Sequence, residues 1–128
     1  MFSYYQPDYQ VPGTKLLGPP FQILSTLTTL RRANVVNTLV YTGIGTGANN
    51  PTGTQLNLAS LDALAQTDAT GGQLADQLNA LLIHGTMNAQ MKSAITAALQ
   101  SIPSSNPHAR AQTAVYLVVT SPQYDVQR

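Results

Sequence analysis

Two histidines and a few aspartates are the side chains with which this chain could carry out acid–base or metal chemistry. His84 is suited to proton transfer, because an imidazole titrates near neutral pH. It is also expected at the C-terminal end of a helix, where the helix dipole stabilises an imidazolium without any catalysis. His108 follows far along the chain, and neither histidine has a partner at the spacing that holds a zinc ion. The sequence therefore predicts no metal site.

The aspartates are scattered along the chain, and no two have the local spacing of a two-carboxylate hydrolase. They are Asp8, Asp62, Asp68, Asp76 and Asp125. The absence of cysteine removes thiolate zinc sites and cysteine nucleophiles, and no Gly-x-Ser-x-Gly elbow marks a nucleophilic serine. No catalytic constellation is visible, and no cofactor is predicted. If the chain forms one wall of an enzyme pocket, the candidate catalytic residues are His84, Asp8 and Arg110.

Glycines at positions 43, 45 and 47 invite comparison with phosphate-binding loops. Such a loop needs a strand before it and a helix directly after it, so that backbone N–H groups converge on the anion. Here a helix is expected before Gly43, and Pro51 prevents a helix from starting directly after the glycines. The segment 43–56, which is rich in glycine and asparagine, is therefore predicted to be a plain linking loop.

Low charge limits the kinds of partner. Charged residues make up 9% of the chain and the net charge is +1, so there is no electrostatic case for nucleic acid or an acidic membrane. No apolar run approaches the ~20 residues that cross a bilayer. The N-terminus also lacks the basic and apolar regions of a signal peptide. We expect no nucleic-acid partner and no membrane insertion.

Prolines divide the first nineteen residues and block continuous helix or strand pairing there. Residues 1–19 are therefore predicted to form an extended arm. Aromatic contacts rather than backbone ladders are expected to hold it on a surface. The side chains expected to make these contacts are Phe2, Tyr4, Tyr5 and Tyr9.

A helical domain is predicted over residues 20–128. Its first helix is expected from about Pro20 to Tyr41, with Phe21, Leu24 and Leu27 on its apolar face. Residues 34–42 are rich in β-branched side chains and could instead form a strand. A short helix is expected around residues 58–66. A stronger one is expected around residues 74–84 and stops at Gly85.

Two further helices have clear N-terminal caps. Asn88 is expected to cap the first of them, which ends before Pro103, and Asn106 with Pro107 begins the second. The second is apolar nearly all round and should be the most buried helix, ending at Pro122. The sequence therefore predicts an all-α fold, a bundle of four to five helices with an extended N-terminal arm.

Several stretches resemble the C-terminal quarter of a bacterial family known as domain of unknown function 1800. They are residues 2–14 (FSYYQPDYQVPGT), 17–19 (LGP), 81–87 (LLIHGTM) and 110–124 (RAQTAVYLVVTSPQY). Their order and spacing match over almost the whole chain, and residues 43–56 match least. Members of that family are several hundred residues long, mostly helical, and often carry export signals.

The resemblance implies a fragment of a larger exported bacterial protein, in a periplasmic or secreted location. It brings no established activity and no catalytic residues. We therefore expect a structural or interaction module that docks on the rest of its own chain or on a partner protein. The alternative is one wall of an active-site or ligand pocket in the full-length protein. The oligomeric state stays open.

Overall fold

The computed structural model describes residues 5–45 and 52–125, and the chain divides into two compact units. Unit 1 is Met1–Asn34 and unit 2 is Val35–Arg128. The division falls inside the first helix, whereas the sequence places a boundary at residue 19. Helices make up the regular structure of the described ranges, which contain isolated β-bridges but no strand. The prediction of an all-α helical bundle is confirmed.

The proline-rich start of unit 1 folds back on itself. Val11 N donates to Leu16 O at 3.0 Å and Gly18 N donates to Tyr9 O at 2.9 Å. Gln10 and Leu17 thus form an isolated antiparallel bridge, so residues 9–18 of the predicted extended arm fold back on themselves. Aromatic attachment of the arm to a surface stays a prediction.

The reversal is made by a turn with a proline and a glycine at its centre. Thr14 N donates to Val11 O at 3.0 Å, and Gly13 between them has φ +78°. Proline before a residue with positive φ is the pattern of a type II turn, in which glycine is favoured because it has no Cβ.

The first predicted helix is interrupted near its start. Pro19–Ile23 form a 3-10 turn, and the α-helix α1 spans Thr26–Tyr41. Ser25 and Thr28 cap α1 reciprocally, because Ser25 Oγ accepts from Thr28 N and Thr28 Oγ1 accepts from Ser25 N. This capping box starts a new helix and ends the turn before it. Residues 34–41, left open between helix and strand, are helical.

Five further helices lie in the described part of unit 2. They are α2 Ala59–Thr67, α3 Gly72–Leu82, α4 Ala89–Gln100, α5 Pro107–Val119 and the single turn α6 Pro122–Asp125. Pro122 therefore begins a turn of helix, since proline fits the first helical position. Helix α5 contacts α2, α3 and α4, and its buried side chains include Ala111, Ala114 and Val118. The prediction that this helix is the most buried is confirmed.

The predicted asparagine caps are present. Asn88 Oδ1 accepts from Met91 N at 2.8 Å, and Asn106 Oδ1 accepts from Ala109 N at 3.1 Å. Each bond satisfies one of the N–H groups that a helix start leaves without a partner.

Helix α3 ends in a turn that one side chain organises. His84 and Gly85 both have positive φ, 53° and 84°, so the left-handed stop expected at Gly85 begins one residue earlier. Asn79 O accepts from Gly85 N at 3.0 Å, and Asn79 Oδ1 accepts from Met87 N at 2.9 Å. This asparagine, which sequence reasoning missed, fixes the connection to α4.

Candidate functional site

Arg110 lies on α5 and is 1% exposed. Its guanidinium donates to four backbone carbonyls. Nη1 bonds Ala65 O at 3.3 Å and Asp68 O at 3.0 Å, while Nη2 bonds Ala69 O at 2.6 Å. Nε bonds Leu99 O at 3.3 Å. These carbonyls stand at the C-terminal ends of α2 and α4, where the helix dipoles favour a cation.

Asp68 is the second buried charged residue of this connection, at 6% exposed. Its Oδ1 accepts from the hydroxyl of Thr70 at 2.6 Å and its Oδ2 accepts from Gln73 N at 2.6 Å. The hydrogen bond from the Thr70 hydroxyl holds the pKa of Asp68 below its ordinary value, with help from backbone N–H groups, while burial opposes the shift. The carboxylate thus caps the start of α3, as Arg110 caps the end of α2.

The burial of Arg110 and of Asp68 is explained by the hydrogen bonds that each makes within the protein, without a substrate. Every bond of the guanidinium described above goes to the main chain, and the side chain has almost no surface open to a ligand. A buried arginine whose donors are met by carbonyls stabilises the fold that surrounds it. Arg110, one of the candidate catalytic residues, therefore lies in the core of unit 2, where it stabilises the fold.

The other acid–base candidates lie elsewhere. His84 is exposed in the α3–α4 connection, and Asp8 is exposed in a turn of unit 1. Their candidate roles stay predictions. The second histidine pairs with an acid instead: His108 Nδ1 lies 2.8 Å from Asp62 Oδ2 and joins the first turn of α5 to α2. Within the described ranges, no group of three or more His, Cys, Asp or Glu side chains could hold a metal ion.

The apolar segment of unit 1, residues 16–30, leaves its large apolar side chains exposed. The leucine, isoleucine and phenylalanine side chains that unit 1 holds between residues 5 and 34 are 44–70% exposed. These residues are Leu16, Leu17, Phe21, Ile23, Leu24, Leu27 and Leu30. Helical spacing places several of them, including Phe21, Leu24 and Leu27, on one apolar face of the first predicted helix. No described residue of unit 1 covers this face.

The short length of unit 1 explains why its apolar side chains are exposed. Below about 40 residues a polypeptide rarely buries enough surface to maintain its own core, and unit 1 is shorter than that. Gly18 is its one buried residue between positions 5 and 34. A Cβ on Gly18 would lie 2.7 Å from Val11 Cγ2 and 2.8 Å from Phe21 Cδ2. The signal in the sequence that could have indicated this exposure is the small number of apolar residues in the first 34 positions that are available to cover one another.

The predicted interaction residues fall in two groups. Phe2 and Tyr4 lie outside the described residues. Tyr5 and Tyr9 are half-buried, and Tyr9 belongs to the folded-back segment through its main chain.

The glycine loop lacks the setting of a phosphate site in its described part. Helix α1, not a strand, precedes Gly43. Ile44 and Thr54 exchange two backbone hydrogen bonds, 2.8 and 2.9 Å long, which close the two ends of the loop. Gly47 lies outside the described residues. None of the helices in the described ranges has the length and apolar character to cross a membrane.

No family model, curated protein or solved structure matches the chain.

Proposed function

We propose that this chain is a helical interaction module of a larger exported bacterial protein, and that it binds its partner through the apolar segment. The observation that carries the proposal is the exposure of seven large apolar side chains within residues 16–30. Burying one such side chain is worth roughly 1.5–3 kcal/mol, so a partner that covers several gains a large free energy.

The structure of unit 2 supports the proposal, because this unit has a core of its own. Leu74, Leu78, Leu99 and Val118 are fully buried there, together with small residues of α5. Unit 2 is therefore the stable body, and the apolar segment is the part that needs a partner. Exposure of this many large apolar side chains within fifteen residues is typical of a segment that binds a partner.

The exported and bacterial character rests on the resemblance to domain of unknown function family 1800 and stays part of the proposal. So does the view that the chain is a piece of a longer protein. The partner is then either the remainder of that protein or a second chain.

Site-specific photo-crosslinking in the cells that make the protein tests the proposal. A photoreactive side chain is placed at position 30 and, as a matched control, at position 81. Leu30 and Leu81 are both 57% exposed, but Leu81 lies on α3 of unit 2. We expect a discrete adduct from position 30, found in the extracytoplasmic fraction, and none from position 81. Equal adducts from both positions, or none from either, would contradict the proposal.

A further inference from the structure

We infer that the partner of the apolar segment is an amphipathic helix whose apolar stripe is flanked by acidic residues. The inference rests on the proposed function and adds the chemistry of the partner. Leu27 and Leu30 are three residues apart on α1, so they lie on one face of a regular helix. Such a face packs most readily against the ridges of a second helix.

Charge selects among the possible partners. Unit 1 contains three cationic side chains, Lys15, Arg31 and Arg32, and one anionic side chain, Asp8. Lys15 adjoins Leu16, while Arg31 adjoins Leu30 and stands one turn beyond Leu27. Both cations are exposed, and neither has a partner among the residues that the structure describes. Cations next to exposed leucines favour a partner that brings carboxylates close to those leucines.

A second copy of this chain fits less well, because no acidic residue occurs between Asp8 and Asp62. Pairing of two apolar segments would bring together the same excess of cations. An anionic membrane also fits less well, because membrane-binding segments cluster about four to eight basic residues. An acidic amphipathic helix is the occupant that satisfies both the apolar and the cationic residues.

Binding of designed peptides to the complete chain tests the inference. The probe is a labelled helical peptide of about 20 residues, long enough to form a helix in water. It carries leucines on one face and glutamates on both sides of them. A matched peptide has lysine in place of each glutamate, and fluorescence anisotropy gives the Kd of each.

We expect the glutamate peptide to bind about tenfold more tightly than the lysine peptide at low salt. The difference should shrink in roughly 0.5 M salt, which screens exposed charges. The double variant Lys15→Glu and Arg31→Glu should reverse the preference. The double variant Leu27→Ser and Leu30→Ser should lose both peptides, whereas the control Leu81→Ser should retain the preference of the unaltered chain.

Each contrary result has a distinct meaning. Equal binding of the two peptides, lost in Leu27→Ser and Leu30→Ser, overturns the acidic partner and leaves the proposed function intact. Binding unaffected by Leu27→Ser and Leu30→Ser contradicts both. Self-association in light scattering that these serines abolish, or binding to phosphatidylglycerol vesicles without binding to the glutamate peptide, assigns the segment to another occupant and overturns the inference.

Discussion

Arg110 brings a positive charge into the core of unit 2 at a place where main-chain carbonyls need donors. The last carbonyls of any helix lack partners within that helix, and four carbonyls near the ends of α2 and α4 accept from one guanidinium. A planar group with five donors in a fixed fork can serve several acceptors at once, which an ammonium group cannot.

Replacement of Arg110 should be among the most destabilising single changes in the chain. Arg110→Met removes the guanidinium from four carbonyls, of which only Asp68 O and Leu99 O keep a backbone donor among the described residues, Gly71 N and Ile102 N. We expect a loss of about 3–5 kcal/mol in the free energy of unfolding. Arg110→Lys should lose less, because the charge remains. Urea denaturation followed by circular dichroism measures both. The control Arg31→Met, at an exposed position, should stay within about 0.5 kcal/mol of the unaltered chain. A similarly mild effect of Arg110→Met would remove the capping role.

Asp68 makes the stability of unit 2 depend on pH. Since the folded state holds the pKa of this carboxyl below its ordinary value, the stabilisation is present above the unfolded pKa, near 4. It is lost as the pH falls through the lower, folded pKa. When the pH is lowered from about 7 to about 3, Asp68→Asn should therefore lose less of its free energy of unfolding than the unaltered chain. Thermal unfolding at the two pH values measures this difference.

At neutral pH the same substitution should destabilise the fold by about 1–3 kcal/mol, because an asparagine amide cannot hold the N–H groups and the Thr70 hydroxyl as a carboxylate does. Asp76→Asn is the matched control. Asp76 is exposed on α3 and pairs with Lys92, and such a surface pair is worth about 0–1 kcal/mol. An equal acid-induced loss in Asp68→Asn and the unaltered chain would show that other groups carry the pH dependence.

At the scale of the element, the α2–α3 connection is short because each helix end is capped within it. Gly71 stands between the caps with φ +77°, a conformation that side chains with a Cβ rarely adopt. A Cβ at this position would lie 2.7 Å from Leu99 Cδ1. The connection therefore depends on glycine both for its backbone and for the close approach of α4.

Two neighbouring glycines provide a matched test of this requirement. Gly71→Ala should lower the free energy of unfolding by about 1–3 kcal/mol through backbone strain and crowding against Leu99. Gly72 is the first residue of α3, and a Cβ there would approach only Thr70 Oγ1, at 3.4 Å. Gly72→Ala should be neutral or slightly stabilising, because alanine favours a helix by up to ~1 kcal/mol. Equal effects in urea denaturation would contradict the assignment.

Helix positions were predictable from local signals, and the roles of the buried charges were not. Asn88, and Asn106 with Pro107, mark two helix starts because a cap acts on its own next few residues. Arg110 bonds carbonyls 41 to 45 residues earlier in the chain, and no local pattern reports such a contact. The sequence predicted one continuous helix from Pro20 to Tyr41, because apolar residues keep a helical spacing on both sides of Ser25. The side chain of Ser25 instead caps a new helix, α1.

At the scale of the whole molecule, the two units should differ sharply in local stability. Unit 2 has a closed core around α5, while unit 1 leaves its apolar segment exposed. Spacing alone cannot distinguish an apolar stripe that packs within the chain from one that requires a partner. Tyr5 and Tyr9 stand in a proline-rich context that predicts interaction, whereas helical spacing indicates only that residues such as Leu24 and Leu27 share an apolar face.

Native-state hydrogen exchange should separate the two units. Amides of α5 between residues 111 and 118 should exchange slowest, since their opening requires unfolding of unit 2. Amides of the Pro19–Ile23 turn should exchange orders of magnitude faster, because few buried contacts hold them. Mass spectrometry of peptides from the exchanged chain measures both rates. Uniform protection across residues 19–118 would indicate a single cooperative body.

The reach of Arg110 also bears on how the chain folds while the ribosome makes it. Synthesis runs from the N-terminus, so α2 is complete 42 residues before the guanidinium that bonds Asp68 O. At roughly 5–20 residues per second, that interval lasts roughly 2–8 seconds. During it the end of α2 has its local donors, such as Gly71 N on Asp68 O, but not the guanidinium, and the nascent unit 2 must wait for α5 before it can close.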